Sequence, residues 1–186
     1  AYSLKYKHDF KGTTSNAINY GSFVHKCLEY IFQFCIDVNA SASSLSRFNI
    51  AALIKEAISK ELGKDFYISN ADRDKAQKSI ENYIGRIGHI DPICHISTEQ
   101  KLEFSVSGVG NFLSIIDRVD RIQDTAILID YKTGKDWQTY GLQATLYTYA
   151  ALSSYQWAKN VIFRLEFLDL CITKDIELKP SELAER

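Results

Sequence analysis

The chain has no methionine, only two prolines, four cysteines and nine glycines in 186 residues. Without methionine, Ala1 is not expected to be a native start, and the sequence reads as a trimmed or excised domain. There is no run of eighteen apolar residues, which excludes a hydrophobic membrane-spanning helix. The cysteines are Cys27, Cys35, Cys94 and Cys171, and no pair has Cys-x-x-Cys spacing. That pattern argues against a zinc knuckle or a disulfide framework and fits free thiols in a reducing, cytoplasmic setting. Nor is there an excess of charge of one sign. Lys and Arg number 22 against 23 Asp and Glu, a net charge of −1 with His neutral. Global electrostatics therefore neither suggests nor forbids nucleic acid, and any basic surface must be local, as at Lys5, Lys7 and Lys11 or Lys132 and Lys135.

What is present is ordinary globular material, 46% hydrophobic and 24% charged. The expected organisation is one domain over 1–186. A lead-in over 1–15 is followed by a mainly helical part over 16–90 and a sheet core over 95–175. A helical stripe runs from Asn16 to Val38 through Val24, Leu28 and Ile31, and the Ser-rich stretch Asn39–Ser46 ends it. Helices are expected over Arg47–Leu62 and Ala71–Ile87, with Pro92 in a connector. Beyond it, strands are expected over Glu99–Val106, Val109–Ile122 and Ala126–Tyr131, with a turn at Gln123-Asp124-Thr125. Helical spacing returns over Trp137–Tyr155 with Leu142, Leu146, Tyr149 and Ala150 facing inward, and Val161–Ile172 reads as a last strand. This order predicts an α/β domain with a mixed sheet.

Four local patterns carry chemistry. Ile127–Asp130 is an apolar strand that delivers a carboxylate, with Lys132 two residues on. Strand side chains alternate, so Asp130 and Lys132 share a face and Tyr131 points the other way. A carboxylate at the end of an apolar strand is costly to bury without a cation or partner. A plain Asp–Lys ion pair is the competing reading. Upstream, Asp117 follows Ser114-Ile115-Ile116, and the hairpin brings its strand back against that of Asp130. Two such acids repel unless a divalent cation lies between them. Asp120 falls on the opposite face by parity and, with Arg118 and Arg121, is expected to form a surface ion pair. On the first helix His25 lies beside the Val24/Leu28 stripe, with Gly21 one turn before it and Glu29 one turn after. Gly21, costly within a helix, implies close backbone packing, and Glu29 is either an orienting partner of His25 or a solvated acid. Finally, Gln143 and Tyr147 share a helix face, an amide and a phenol suited to phosphate or base contact.

In this order, Gly21-x-x-x-His25, Ser114-Ile115-Ile116-Asp117, Ile129-Asp130-Tyr131-Lys132-Thr133-Gly134 and Gln143-x-x-x-Tyr147 resemble the RecB-like branch of the PD-(D/E)XK nucleases over roughly residues 16–170. The Asp-Tyr-Lys-Thr-Gly block followed by Gln-x-x-x-Tyr is the specific part. The resemblance implies a restriction-endonuclease-like core, a central mixed β-sheet flanked by helices with an N-terminal helical portion. It implies a Mg²⁺- or Mn²⁺-dependent deoxyribonuclease, an exonuclease or helicase-associated module of DNA repair or recombination. His25, Asp117, Asp130 and the Tyr131 carbonyl would hold the metal. Lys132 would act on the attacking water or the developing charge, and Gln143 and Tyr147 would contact DNA. A further acid, Glu99 or else Glu103, is expected on the strand before Asp117. Ser114 stands where the family has Gly. The iron–sulfur subgroup needs a cysteine before the His helix and a cluster after the Gln-x-x-x-Tyr helix. No cysteine precedes His25 and only Cys171 follows, so no cluster is expected. The competing readings are an inactive nuclease-fold module that binds DNA or protein, and a hydrolase of small phosphoesters.

Overall fold

In a computed structural model of the chain, residues 2–3, 16–60, 68–87, 94–106, 108, 110–134 and 140–178 are described. Three amphipathic helices come first: α1 (Asn16–Asp37), α2 (Arg47–Lys60) and α3 (Asn70–Ile87). On α1 the buried residues Tyr20, Phe23, Val24, Cys27, Leu28, Ile31, Phe32 and Cys35 recur at helical spacing. Ser69 caps α3: its hydroxyl accepts the Asp72 amide at 3.1 Å and donates to the Asp72 carboxylate at 2.7 Å. The strands are β1 (Tyr2–Ser3), β2 (Cys94–Val106), β3 (Gly110–Ile122), β4 (Thr125–Lys132), β5 (Asn160–Phe167) and β6 (Ile172–Glu177). The remaining helix, α4 (Gly141–Ser154), connects β4 to β5.

The strands form a six-stranded mixed sheet in the order β1-β3-β4-β5-β6, with β2 pairing β3 on its other edge. The β2–β3, β3–β4 and β5–β6 pairs are antiparallel, and β4–β5 is parallel. A parallel pair needs a crossover, and α4 supplies it. One core cluster packs the α1–α3 side against Ile127, Ile129 and Tyr131. The other packs α4 against Ala126, Leu128, Val161, Phe163 and Leu165. Both faces of the central strands are thereby covered, which is why β4 reads as a continuous apolar run rather than an alternating one.

Several elements differ from the sequence expectation. β2 begins at Cys94, five residues before Glu99, because a register shift between His95 and Ser97 and a positive φ of 45° at Glu99 hide the alternation. The strand expected to run to Ile172 stops at Phe167. Cys171, at φ 54° and ψ 37°, turns the chain into β6, a mostly exposed strand whose two isoleucines, Ile172 and Ile176, are too few to mark it as a separate element. Tyr2–Ser3 pairs with β3 instead of lying in a featureless lead-in. On α4, Leu142 is 71% exposed and Tyr149 is at the surface, while Ala144, Tyr147, Thr148, Ala150 and Ala151 face the sheet. Small residues let the helix lie close to the strands, which rotates the apolar stripe away from the larger side chains. The rest of the 1–15 lead-in, Pro92, Trp137, Lys135 and the tail beyond Leu178 lie outside the described residues.

The largest correction concerns Arg118 and Asp120, expected at the surface. They are 2% and 0% exposed. Arg118 donates to Asp120 at 2.9 Å, to the Tyr83 hydroxyl at 3.0 Å and to the Tyr131 hydroxyl at 2.8 Å, and its guanidinium lies 3.7 Å from the Phe32 ring centroid. His95 Nδ1 meets the other Asp120 oxygen at 2.8 Å. β3 is a central strand with α1 and α3 over this face, so there is no solvent for these charges to reach. The thiols of Cys27 and Cys35 share this interior. Burial pushes the first up to about 12 and the second to about 11, so neither is a thiolate near neutral pH. Among the described residues, no helix is long and apolar enough to cross a membrane.

Asp120→Ala leaves the buried guanidinium without its carboxylate and is expected to cost about 3–5 kcal/mol in urea unfolding. A surface pair would give a change within about 0.5 kcal/mol.

Candidate active site

Strand β4 pairs with β3 only from Arg118↔Ile129 to Ile122↔Thr125, and β1 pairs only with Phe112 and Leu113. Along that edge of β3, no strand pairs with residues 114–117 among the described residues. The two strands part at Asp117 and Asp130, and the next rung is made by a side chain: the Tyr131 amide donates to Asp117 Oδ2 at 2.8 Å. Alternation on β3 slips here too, since Ile116 and Val119, three apart, both join the core under α4. The opening leaves the Tyr131 amide free to bond the Asp117 carboxylate beside Asp130.

Helix α1 closes the opening from one side. Gly21 permits this, because a Cβ there would lie 3.1 Å from the Thr133 hydroxyl. One turn on, His25 Nε2 donates to the Tyr131 carbonyl at 2.9 Å, Nδ1 lies 3.5 Å from Asp117 Oδ2, and the ring stands edge-on to the Tyr131 ring at 5.8 Å. Facing both oxygens suits the doubly protonated ring. Burial pulls the His25 pKa down. The Asp117 charge and hydrogen bond, aided by Asp130, outweigh it and hold the ring at about 8.

The two carboxylates are driven in opposite directions. Burial would raise Asp117, but His25 and the Tyr131 amide bring it below the ordinary carboxylate value. Burial, then the neighbouring Asp117 charge, push Asp130 up to about 6 against the attraction of Lys132. Lys132 forms an ion pair with Asp130 Oδ2, and its ammonium lies 5.1 Å from the Tyr140 ring centroid. From α4, Gln143 donates to Asp130 Oδ1 at 3.3 Å. Asp130 and Lys132 therefore share a face as strand parity requires, and Tyr131 points into the opposite core.

The other candidates fall at different distances from this centre. Tyr147 is 7% exposed, and its hydroxyl donates to the Ile115 carbonyl at 2.8 Å, so in this arrangement it braces β3. Its pKa is raised by burial first and then by the charges of Asp130, Asp117 and Glu99. Glu99 is half-buried, on the β2 segment facing Asp117, whereas Glu103 is exposed. Glu29 pairs with Lys26 at 2.5 Å. Sequence reasoning missed the buried Arg118–Asp120 pair. The available signal was the apolar setting of Ile115–Val119 on a strand with strands on both sides and helices above and below.

An imidazole, two carboxylates and a main-chain carbonyl make a mixed nitrogen and oxygen donor set of the kind that Mg²⁺ or Mn²⁺ accepts. Among the described residues, no three His, Cys, Asp or Glu side chains are gathered closely enough to hold an ion as they stand. Instead, the His25 ring protons meet the Tyr131 carbonyl and the Asp117 carboxylate. The donor types fit such a cation, which His25 could join only after losing the proton on the nitrogen it offers.

His25 is expected to titrate near 8 in cation-free protein by NMR, and Asp117→Asn to bring it back toward 6.5 or below. The stabilisation from this imidazolium is complete below pH 6.5 and fades as pH rises through about 8, because the folded-state pKa is the higher. An unmoved His25 titration in Asp117→Asn would contradict the pairing.

No curated protein matches the sequence. A solved structure of a candidate exonuclease from Eubacterium rectale is similar at a TM-score of 0.49 and 12% identity, over 95% of this chain. This chain spans 64% of the length of that protein. The family profile described as the PD-(D/E)XK nuclease superfamily matches residues 1–182, which includes every element of the site. A mixed sheet with a helical N-terminal part, a carboxylate on each of two parting strands and a lysine two residues after the second make up a restriction-endonuclease-like arrangement, and the chain belongs to the PD-(D/E)XK nuclease superfamily.

Proposed function

We propose that this nuclease hydrolyses DNA phosphodiester bonds with Mg²⁺ or Mn²⁺, as a RecB-like exonuclease or a nuclease module attached to a helicase-type partner in DNA repair or recombination. Superfamily members generally use divalent metals such as Mg²⁺. The observation that carries the reading is the meeting of His25, Asp117, the Tyr131 carbonyl and the Asp130–Lys132 pair at one gap in the sheet.

In this reading His25, Asp117, Asp130 and the Tyr131 carbonyl hold the cation. When bound, it lowers the pKa of water and neutralises phosphate charge. The chain's own groups do the rest. Asp117 stays ionised because the Tyr131 amide and His25 stabilise its charge. Gln143 and Lys132 hold Asp130 from two sides, so its carboxylate keeps one orientation. The Lys132 ammonium, kept in place by Asp130 and the Tyr140 face, orients the attacking water and stabilises charge on the phosphoryl oxygens. Glu99 is the candidate for a further acid at the rim, and Gln143, on the helix that borders the strand path, is the candidate for DNA contact, whereas Tyr147, expected beside it, is buried and braces β3. With a net charge of −1, affinity for DNA rests on local contacts, and a partner subunit would supply the remainder.

Two competing readings fit less well. An inactive docking module has no use for a buried Asp130 that the neighbouring Asp117 charge destabilises. Against a small-phosphoester hydrolase stands Gln143 beside Asp130, an amide suited to the phosphates of a polymer.

Purified protein with Mg²⁺ or Mn²⁺ is expected to degrade DNA, with no activity in chelator. Asp130→Ala and Lys132→Ala are each expected to lower the rate by about 10²–10⁴-fold or more. Activity that survives both substitutions would overturn the assignment. Faster turnover of a chromogenic phosphodiester than of single-stranded DNA would favour the small-substrate reading. Cation uptake must displace the His25 proton below pH about 8 and an Asp130 proton below about 6. Mn²⁺ affinity by calorimetry is therefore expected to climb from pH 6 to 8 with net proton release. A flat profile would contradict the donor set.

A further inference from the structure

All three polar groups of Tyr131 are engaged. Its amide donates to Asp117 at 2.8 Å, its carbonyl accepts from His25 at 2.9 Å, and its hydroxyl accepts from Arg118 at 2.8 Å. The ring is 3% exposed and stands between the edges of His25 and Tyr83, at interplanar angles of 82° and 81°. We propose that Arg118, set by Asp120 and His95, is a positioning residue that anchors the Tyr131 phenol and thereby aims the Tyr131 amide and carbonyl at Asp117 and His25. This inference rests on the cation-site reading above and extends it to a buried charge network that touches neither substrate nor cation.

The argument is mechanical. Beyond Ile129, β4 has no ladder to β3 among the described residues, and the contacts that hold the peptide planes around Tyr131 on that side are those to Asp117 and His25. On the other side β5 pairs along β4 through Lys132↔Phe167, which sets the strand's path. A tyrosine side chain has only two torsions, so holding the phenolic oxygen and packing the ring on both faces fixes its Cα–Cβ direction. The two peptide groups flanking that Cα follow. The guanidinium is itself immobile: it donates to Asp120 and to Tyr83 as well as to Tyr131, and it lies on the Phe32 face. Asp120 in turn meets His95. Buried charge of this kind is weak evidence for stability, since apolar side chains of similar volume would serve as well or better. Its use here is directional. A planar fork specifies where a phenol must sit, and an apolar contact does not.

Tyr131→Phe removes the anchored oxygen and leaves Arg118 paired with Asp120 and Tyr83. Calorimetric Mn²⁺ titration of the whole chain is expected to show affinity weakened by about 10–100-fold, the range typical of lost outer-shell contacts, with thermal unfolding still cooperative. Arg118→Lys keeps the buried positive charge but loses the fork and is expected to weaken Mn²⁺ binding similarly. Tyr83→Phe, which keeps the ring packed on Tyr131 and the Arg118 bonds to Asp120 and Tyr131 and removes one of the three acceptors of Arg118, is expected to weaken Mn²⁺ binding by less than either of those variants. A structural role alone would lower unfolding temperature in all three variants with wild-type Mn²⁺ affinity in the folded protein, and that result overturns the proposal. So does equal weakening by Tyr83→Phe. A wild-type chain that takes up no Mn²⁺ fails the cation-site reading itself, and this inference falls with it. Wild-type uptake that Tyr131→Phe does not weaken fails the positioning role alone.

Discussion

The hydrogen bond from the Tyr131 amide to the Asp117 carboxylate is the constraint on which the site depends. It replaces a rung of the β3–β4 ladder with a side-chain contact, so the sheet opens without leaving that amide unpaired. An open seam inside a sheet would otherwise expose main-chain groups to an apolar surrounding, at the cost of a lost hydrogen bond for each. Asp117 satisfies one of them and His25 satisfies the carbonyl of the same residue. The same oxygens that are structural in the protein as it stands are those the proposed function assigns to a cation.

Charge inside this molecule is organised in two compartments on either side of β4. On the α4 side are Asp130, Lys132 and Gln143, where Asp130 is pushed toward neutrality and the groups remain partly accessible. On the α1–α3 side are Arg118, Asp120 and His95, closed off from water. Tyr131 joins the site to the second, its main chain bonded to Asp117 and His25 and its hydroxyl to Arg118. A strand with helices over both faces makes this division possible, since adjacent residues must look into separate interiors.

Much of this was legible in the sequence because it follows from period and chemistry. The stripe through Val24, Leu28 and Ile31 placed α1, and the β4 run placed Asp130 beside Lys132. The hairpin at Gln123–Thr125 brought Asp117 back toward Asp130. Legibility failed where neighbours, not local pattern, decide. Arg118 and Asp120 look like a solvated pair until β2, β4, α1 and α3 are assembled around them. Leu142 and Tyr149 look like an inward face until the small side chains of Ala144, Thr148 and Ala151 bring α4 close to the sheet. β6 was invisible because it is mostly exposed, with Ile176 alone packed against the core. The Tyr131 carbonyl entered only through the family resemblance, and the bond from its amide to Asp117 was unreadable because main-chain hydrogen bonds leave no trace in side-chain identity.

The approach of α1 to β4 at Gly21 and Thr133 has a consequence for tolerance in this fold. The gap between helix and strand is gauged by the bulk of one hydrogen and one hydroxyl oxygen rather than by a long side chain that could bend to suit. Hard-core repulsion rises steeply over tenths of an ångström, so such a spacer behaves as a stop. The imidazole carried one turn further along the helix thus inherits a fixed stand-off from the strand ends, set by steric contact and indifferent to salt or acidity.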